Sequence, residues 1–454
     1  MKTSHHPIAL LLLFAVACSP VSGSDRETTV IEAITDRNAE ISERDREAKY
    51  CKMAASPFMF YRGTNHLFWM DFAGDDRRQK FGNENTKTWI QGDLHTDNFG
   101  SFNTGKGDII YNVNDFDETT LADYQYDVWR FAVSLVLVAR QNDLSSEDEK
   151  QIVDAFAASY LDTLEEYRGN DDETKTEFTK DNTNPRLSKL LEKVEEKGTR
   201  QKLLTLFTEK TGQGRRFTLE RDRLEAVTPE ERGQFQTAIE NYGKTLMGDL
   251  QYNPQHFQMK DVARRLFAGT GSLGTPRYYV LIEGETKSDD DDRLLDVKQQ
   301  SKPTPYDYLS EGDRQQYDRL FENDAQRHQI GYLALLGTAD NYLGWMQLAD
   351  GFYSVREMSP YKDDISTDKL NKTEEMIEMS QQWGQIIATD HARSDRDFDP
   401  QYIPHSLEAE VGELTDGNHE EFRRLVSSIA TEYGDRVEAD WETFTETLKP
   451  SDCR

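Results

Sequence analysis

The sequence predicts an α/β (α+β) fold with high helix content, in which a helical lobe comes first and a β-rich lobe comes late. Two observations carry this expectation. Charged stretches with helical periodicity fill residues 27–53, 144–261 and 361–454, and a strongly apolar one runs over 128–139. Short apolar runs bounded by glycine-rich or acidic turns occur at 89–118 and 268–358, and these read as strands. At 454 residues the chain can hold one large or two moderate domains with real cores. The expected divisions are 1–18, a signal peptide with a lipobox; 19–53, a tether and helix; 54–143, two acidic loops of the helical lobe; 144–261, helical; 262–360, the β-rich lobe; and 361–454, C-terminal helices.

Charge narrows the range of partners. Asp plus Glu number 84 against 54 Lys plus Arg, a net charge of −30, so a basic face for nucleic-acid phosphates is not expected. Cations or basic partners are favoured, and such acidity suits a salt-rich habitat where screening removes self-repulsion.

The chemistry concentrates in two polar runs. Gly92-Asp93-Leu94-His95-Thr96-Asp97-Asn98-Phe99-Gly100 follows the apolar Trp89-Ile90. Asn114-Asp115-Phe116-Asp117-Glu118 follows Ile109, Ile110, Tyr111 and Val113, after a turn at Gly105-Lys106-Gly107-Asp108. The pattern reads strand, acidic loop, turn, strand, acidic loop, with both loops at one end of a hairpin-like pair. Asp93, Asn98, Asp115 and Asp117 would converge there. Crowded acids need positive charge among them, and oxygen-only ligands suit a hard cation such as Mg²⁺ or Mn²⁺. Phosphotransfer enzymes use this spacing: Asp93 as the base, Asn98 and Asp115 as metal ligands, Asp117 as a further metal candidate, with His95 orienting the loop. The alternative is a solvated pair of acidic turns. His, Asn, Phe and Gly packed among the acids argue against it.

The two runs resemble the catalytic and metal loops of aminoglycoside-phosphotransferase-type kinases. They are more closely similar to the bacterial domain-of-unknown-function 2252 family, whose hallmark is G-D-x-H-x-x-N-F-G followed by N-D-F-D-E. The resemblance extends to Ser56-Pro57-Phe58, Phe60-Tyr61-Arg62-Gly63, Tyr126-Asp127-Val128-Trp129-Arg130, Gly269-Thr270-Gly271-Ser272-Leu273-Gly274, Leu343-Gly344-Trp345 and His391-Ala392-Arg393-Ser394. It covers the chain from about Ala54 to Arg393. The family name carries no activity. The kinase likeness implies that Asp127, at the start of the apolar helix, buttresses the first loop, where it would also serve as a capping acid.

The N-terminus predicts export. Lys2 precedes an apolar run over 8–17, too short to span a bilayer and suited to a signal peptide. Ala15-Val16-Ala17-Cys18 resembles a bacterial lipobox with Cys18 lipidated, and ordinary cleavage near Ala17 or Gly23 is the alternative. The first reading gives an envelope lipoprotein of the periplasm or outer membrane, touching membrane only through its lipid. The second gives a secreted protein. Cys51 and Cys453 then remain, either as one disulfide or as two thiols.

Further along, 27–53 reads as a solvated helix packed on the main body, and Pro57 as its stop. Arg62 reads as a phosphate or carboxylate ligand, or as an ion pair to an acidic loop. Lys210, Arg215, Arg216, Arg221 and Arg223 form a basic island read as surface ion pairing with Glu220 and Glu225. Gly269, Gly271 and Gly274 make a G-x-G-x-x-G. A dinucleotide fold would place a strand before it and a helix after it. Here a strand (278–284), an acidic turn (288–292) and a second strand carrying Lys298 follow. That is the order of a kinase glycine-rich loop and its phosphate-binding lysine; the alternative is a glycine-kinked hairpin. A helix over 312–336 offers Glu322 as a partner for the lysine, but Arg327 is the residue that matches the family. A hairpin over 342–358 ends at Met358, which would line an adenine pocket. His391 and Arg393 could face the cleft, or His391 could be packed and hydrogen-bonded.

The acidic loops precede the glycine loop, the reverse of the usual kinase order. The implied fold is therefore a circularly permuted protein-kinase-like one. Its reaction would carry a phosphate from ATP or another nucleotide to a hydroxyl on a small molecule or protein. Free ATP is scarce outside the cytoplasm. A non-catalytic envelope binding lipoprotein with a kinase-like cleft is thus the first rival, and a metal-dependent phosphoester hydrolase the second.

Overall fold

The N-terminal stretch read as one helix is two, α1 (Gly23–Arg37) and α2 (Glu43–Met53). Ser42 separates them, its hydroxyl accepting the Asp45 N–H to cap α2. Pro57 starts a helix rather than stopping one. It opens α3 (Pro57–Gly63), where its missing N–H has no partner to lose, and Ser56 caps the end by accepting from the Met59 N–H. α4 (Asn65–Phe72) follows. The computed structural model describes residues 23–453 apart from 213, 221–222, 248–249, 251–252 and 339. The expected signal segment and Cys18 lie outside the described residues.

Four short strands come next: β1 (Lys87–Ile90), β2 (Phe99–Asn103), β3 (Ile109–Val113) and β4 (Thr120–Asp123). They form two antiparallel pairs, β1 with β4 and β2 with β3. The acidic loops thus lie side by side at the open end of the β2–β3 hairpin, as expected, and the β1–β4 pair closes outside them. β2 and β4 hold polar residues next to the loops, which is why no apolar run announced them.

The chain continues through α5 (Gln125–Gln141), α6 (Ser146–Tyr167), α7 (Pro185–Lys197) and α8 (Arg200–Phe207). Residues 144–261 are not all helical. A hairpin of β5 (Thr208–Thr211) and β6 (Gly214–Phe217) lies there, then β7 (Leu224–Ala226), α9 (Pro229–Tyr242) and the start of β8 (Met259–Arg265). Lys210, Arg215 and Arg216 of the basic island sit on this hairpin. Lys210 and Arg215 pair with Asp290 of the acidic turn, and Arg216 with Asp261, so its partners are distant acids more than Glu220. β9 (Arg277–Ile282) and β10 (Arg293–Gln299) follow the glycine loop. The helix expected over 312–336 breaks into α10 (Glu311–Leu320) and α11 (Asp324–Leu336), with Asn323 capping the second. β11 (Gly344–Leu348), β12 (Gly351–Glu357), α12 (Thr373–Arg393), α13 (Leu407–Thr415) and α14 (His419–Thr447) complete a mixed α/β structure rich in helix.

α5, α6, α12 and α14 pack on one another to form the centre of the helical body. Its core runs from Val30 and Ile34 through Trp129, Phe131 and Trp383 to Phe444. The second body is a six-stranded antiparallel sheet, ordered β11-β12-β10-β9-β8-β7. Alternation along each strand divides its faces. Tyr278, Val280, Leu295, Val297, Tyr353 and Val355 pack with Phe235 and Tyr242 of α9. Tyr279, Leu281 and Leu294 pack with Leu204 of α8 and Phe217 of β6. Lys298 shares parity with Leu294 and Asp296, so it leaves the sheet on the second face, at its polar end. A disulfide between Cys51 and Cys453, with Cα atoms 5.2 Å apart, ties α2 to the C-terminus.

Candidate active site

The polar end of that sheet face meets the acidic loops across a cleft of about 330 Å³. Asp93, His95, Asn98, Asp115, Asp117, Gly269, Gly271 and Lys298 all line it. Gly274 lies at the base of the glycine loop, which joins β8 to β9 and opens no helix. Register sets the neighbours: Lys298 lies opposite Arg277 on one side and Ser354 on the other, and Asp296 opposite Arg356. In a protein with a net charge of −30, seven basic and seven acidic side chains line this cleft. It is balanced locally despite that net charge.

The first loop is held from behind. Gly92 has φ +81°, and a Cβ there would meet the Glu118 carbonyl oxygen at 2.3 Å, so only glycine fits. Asp127 does not cap α5; its oxygens accept the N–H groups of Gln91 at 2.6 Å and Gly92 at 2.9 Å. His391 backs Asp127 at 3.3 Å and Tyr160 at 3.0 Å, and so is packed rather than facing the cleft. Arg393 likewise turns away, donating to the carbonyls of Glu173 and Leu336. Gln91 links the loops: it accepts the Asp93 N–H at 2.7 Å and donates to the Asp115 carbonyl at 3.1 Å. The Asn114 N–H closes on the Asn98 carbonyl at 2.8 Å.

Asp93 is not solitary. The buried Arg130 donates to its Oδ1, with Nε at 2.9 Å. Burial pushes the Asp93 carboxyl up to about 7, opposed by Arg130 and reinforced by Glu118 and Asp115. Asn98 donates to the Asp93 carbonyl at 3.2 Å. Its side-chain amide thus steadies the loop. Burial, with Arg62 and Arg130 adding to it, holds His95 well below its ordinary range, so its ring is neutral at pH 7. Its Nδ1 is buried with no partner, and its ring meets Phe58 edge-on.

Asp117 takes Lys298 on Oδ2 and Gln300 on Oδ1 at 2.8 Å. Burial raises the Asp117 carboxyl, but Lys298 and His328 outweigh it and hold the group well below the usual carboxylate range. Lys298 also donates to Ser272 of the glycine loop at 2.9 Å. No Lys298–Glu322 pair forms. Arg327, fully buried on α11, instead donates to the carbonyls of Asp117 at 2.7 Å and Thr119 at 2.8 Å, fixing the second loop.

Two contributions escaped the sequence. α2 is not merely solvated: Lys49, 4% exposed, donates to the Gly271 carbonyl at 2.8 Å, and Lys52 to Gly269 at 2.8 Å. Polar periodicity concealed this, since a lysine reads as solvent-facing. Arg130 lay hidden in an apolar helix. Arg62 pairs with Asp97 at 2.6 Å and lines the cleft, as the ion-pair alternative had it.

Met358 lies outside the polar cleft. It lines an adjoining chamber of about 530 Å³ with Phe102, Leu203, Phe207 and Tyr279. The chambers share Asn114, Arg277, Asp296, Arg356 and Lys362. For a metal, the donors are Asn98, Asp115 and Asp117, all oxygens on two loops. Mg²⁺ is bound by one or two carboxylates plus substrate phosphates, so this set fits. Tighter triads of carboxylates occur elsewhere among the described residues.

These features define a mixed α/β protein with a charge-balanced cleft between a helical body and an antiparallel sheet. A family model described as "Uncharacterized protein conserved in bacteria (DUF2252)" matches residues 43–447, and the chain belongs to that family. No curated protein and no solved structure matches it.

Proposed function

We propose that the chain is an exported, circularly permuted kinase-like phosphotransferase that moves a nucleotide phosphate to a hydroxyl acceptor. One observation carries this reading: a glycine loop between neighbouring strands, a lysine on the next strand and two acidic loops share one cleft, although Lys298 and Asp117 are 181 residues apart. Asn98, Asp115 and Asp117 would hold Mg²⁺ or Mn²⁺, which would neutralise charge on the phosphates. Lys298 would exchange Asp117 for a phosphate oxygen, and the glycine loop would cover the chain of phosphates. The apolar chamber beside Met358 would take the base of ATP or another nucleotide. Asp93 would accept the acceptor's hydroxyl proton as that oxygen bonds to phosphorus and the bridging P–O bond breaks. The Cys51–Cys453 disulfide supports export, since such bonds persist in oxidising compartments. Lipidation at Cys18 is part of the same proposal.

Arg130 on Asp93 and Lys298 on Asp117 neutralise the cleft from within, and this favours the non-catalytic binding protein as a second reading. Calorimetric titration of the purified full chain with a non-hydrolysable ATP analogue, with and without Mg²⁺, tests both. Metal-dependent binding lost in Lys298→Ala supports the cleft assignment. Binding without transfer to any hydroxyl supports the second reading. Absence of nucleotide binding, or phosphoester turnover without nucleotide, overturns the kinase reading.

A further inference from the structure

A second group of acids lies apart from the cleft, where the loop after α6 meets the corner between α12 and α13. Asp171, Glu173 and Asp397 bring one oxygen each within 4.8 Å of one another, and Asp395, Asp397 and Glu408 do the same. Asp397 belongs to both sets.

The group lacks an internal counter-charge. Glu173 is fully buried, yet neither of its carboxylate oxygens meets a donor. One oxygen each of Asp397 and Glu408 is buried in the same condition. Arg393, buried beside them, spends its guanidinium on the carbonyls of Glu173, Thr176 and Leu336. Arg396 approaches Asp397 only to 3.9 Å, with half its side chain exposed. Buried carboxylates in this state need a counter-charge, a metal or a proton, and burial with the neighbouring acids raises both Glu173 and Asp395 toward the protonated form that a cation would displace. The triad of Glu283, Asp291 and Asp292 differs in holding a cation of its own, since Lys260 bonds Asp292 at 2.7 Å and pairs with Glu283 at 3.2 Å.

We propose that Glu173, Asp397 and Glu408 bind a calcium-type divalent cation, with Asp395 beside them and Asp171 at the exposed rim. An all-carboxylate donor set suits a hard ion, and Ca²⁺ accepts the irregular, crowded geometry that Mg²⁺ refuses. Asp395 is turned by the N–H groups of Leu407 at 2.6 Å and Asp397 at 2.9 Å, which sets the corner's shape. The ion clips the loop after α6 to the end of α12, the helix that also carries His391 behind Asp127. It therefore braces the body under the first acidic loop without entering the cleft.

The test uses the full chain dialysed against EDTA, then titrated with CaCl₂ by calorimetry and thermal melting. Wild type should melt several degrees higher with Ca²⁺, and Asp115→Ala, which removes only a cation ligand of the cleft, should keep that shift. Glu173→Gln/Asp397→Asn should lose at least tenfold in affinity and lose the shift, while melting in EDTA no lower than wild type because the repulsion is gone. Should that variant fail to fold, the exposed Asp171→Asn replaces it and should weaken binding severalfold. No Ca²⁺ response in wild type, a response lost in Asp115→Ala, or unchanged affinity in the variants of this group overturns the proposal.

Discussion

Lys49 combines a structural cost with a positional use. Burial lowers its ammonium to about 8, with Arg37 adding to the effect. In the unfolded chain the group titrates near its ordinary 10.5. Between those values the unfolded chain binds more protons than the folded one, so folding stability rises with pH across that window. Below about 8 the full cost is present. Lys49→Met should therefore be more stable than wild type at pH 7, by about 1–3 kcal/mol, and the gap should narrow by pH 10. Melting temperatures of both proteins at the two pH values check this; a less stable variant at pH 7 sinks it. The same variant should weaken binding of a nucleotide phosphate, since a cation leaves the glycine loop. Asp127 works oppositely, contributing stability without chemistry. Asp127→Ala strands two buried N–H groups, at a cost of about 2–4 kcal/mol. Urea unfolding should show the loss, and an unchanged midpoint would refute the buttress.

At the scale of elements, the glycine loop depends on the segment before α2 as well as on its own strands. Gly274 has φ +97°, and a Cβ there would meet Ile41 at 2.6 Å. Gly274→Ala should cost about 1–2 kcal/mol through backbone strain and that contact. It should also raise the Kd for a nucleotide, because Ser272 and the Gly271 carbonyl shift with the loop. Hydrogen exchange over 266–276 would report the loosening, and protection equal to wild type would contradict it. α11 acts on the second loop in the same manner. A kinase-like reading seeks a glutamate on this helix, whereas the chain presents Arg327 to main-chain oxygens and leaves Lys298 to Asp117. The loop is thus positioned through its carbonyls, while its Asp117 carboxylate meets Lys298 and Gln300 in the cleft.

Across the whole molecule, the first and last helices share one support. Arg26 of α1 pairs with Asp71 of α4 at 2.7 Å and Asp440 of α14 at 2.6 Å. The disulfide then closes a loop of 402 residues between α2 and the C-terminus. Loop-closure entropy assigns such a link roughly 2–5 kcal/mol. Cys453→Ser, or mild reduction, should lower the melting temperature by several degrees. Intact mass without reductant should show no free thiol in protein from its native compartment; two free thiols there would remove the link. Because α2 carries Lys49 and Lys52, its release should loosen the glycine loop as well, so a nucleotide should bind more weakly to the reduced protein.

Local chemistry made much of this legible in the chain. The acidic loops announce themselves through polar residues set between apolar strands. The strand-turn-strand run ending in Lys298 is visible because alternation and turn residues are properties of neighbours in sequence. The apolar helix over 128–139 is legible for the same reason. Tertiary structure decided what depends on distant partners. It paired β1 with β4 instead of β3, brought Lys298 to Asp117, and chose a carbonyl-holding Arg327 over a lysine-pairing Glu322. It buried Lys49 and Arg130, whose charge gives no sign of burial until opposite groups close around them. It also gathered Glu173, Asp397 and Glu408 from three separated segments. A pattern in sequence records which face a side chain takes on its own element, whereas a site is made where faces of different elements meet.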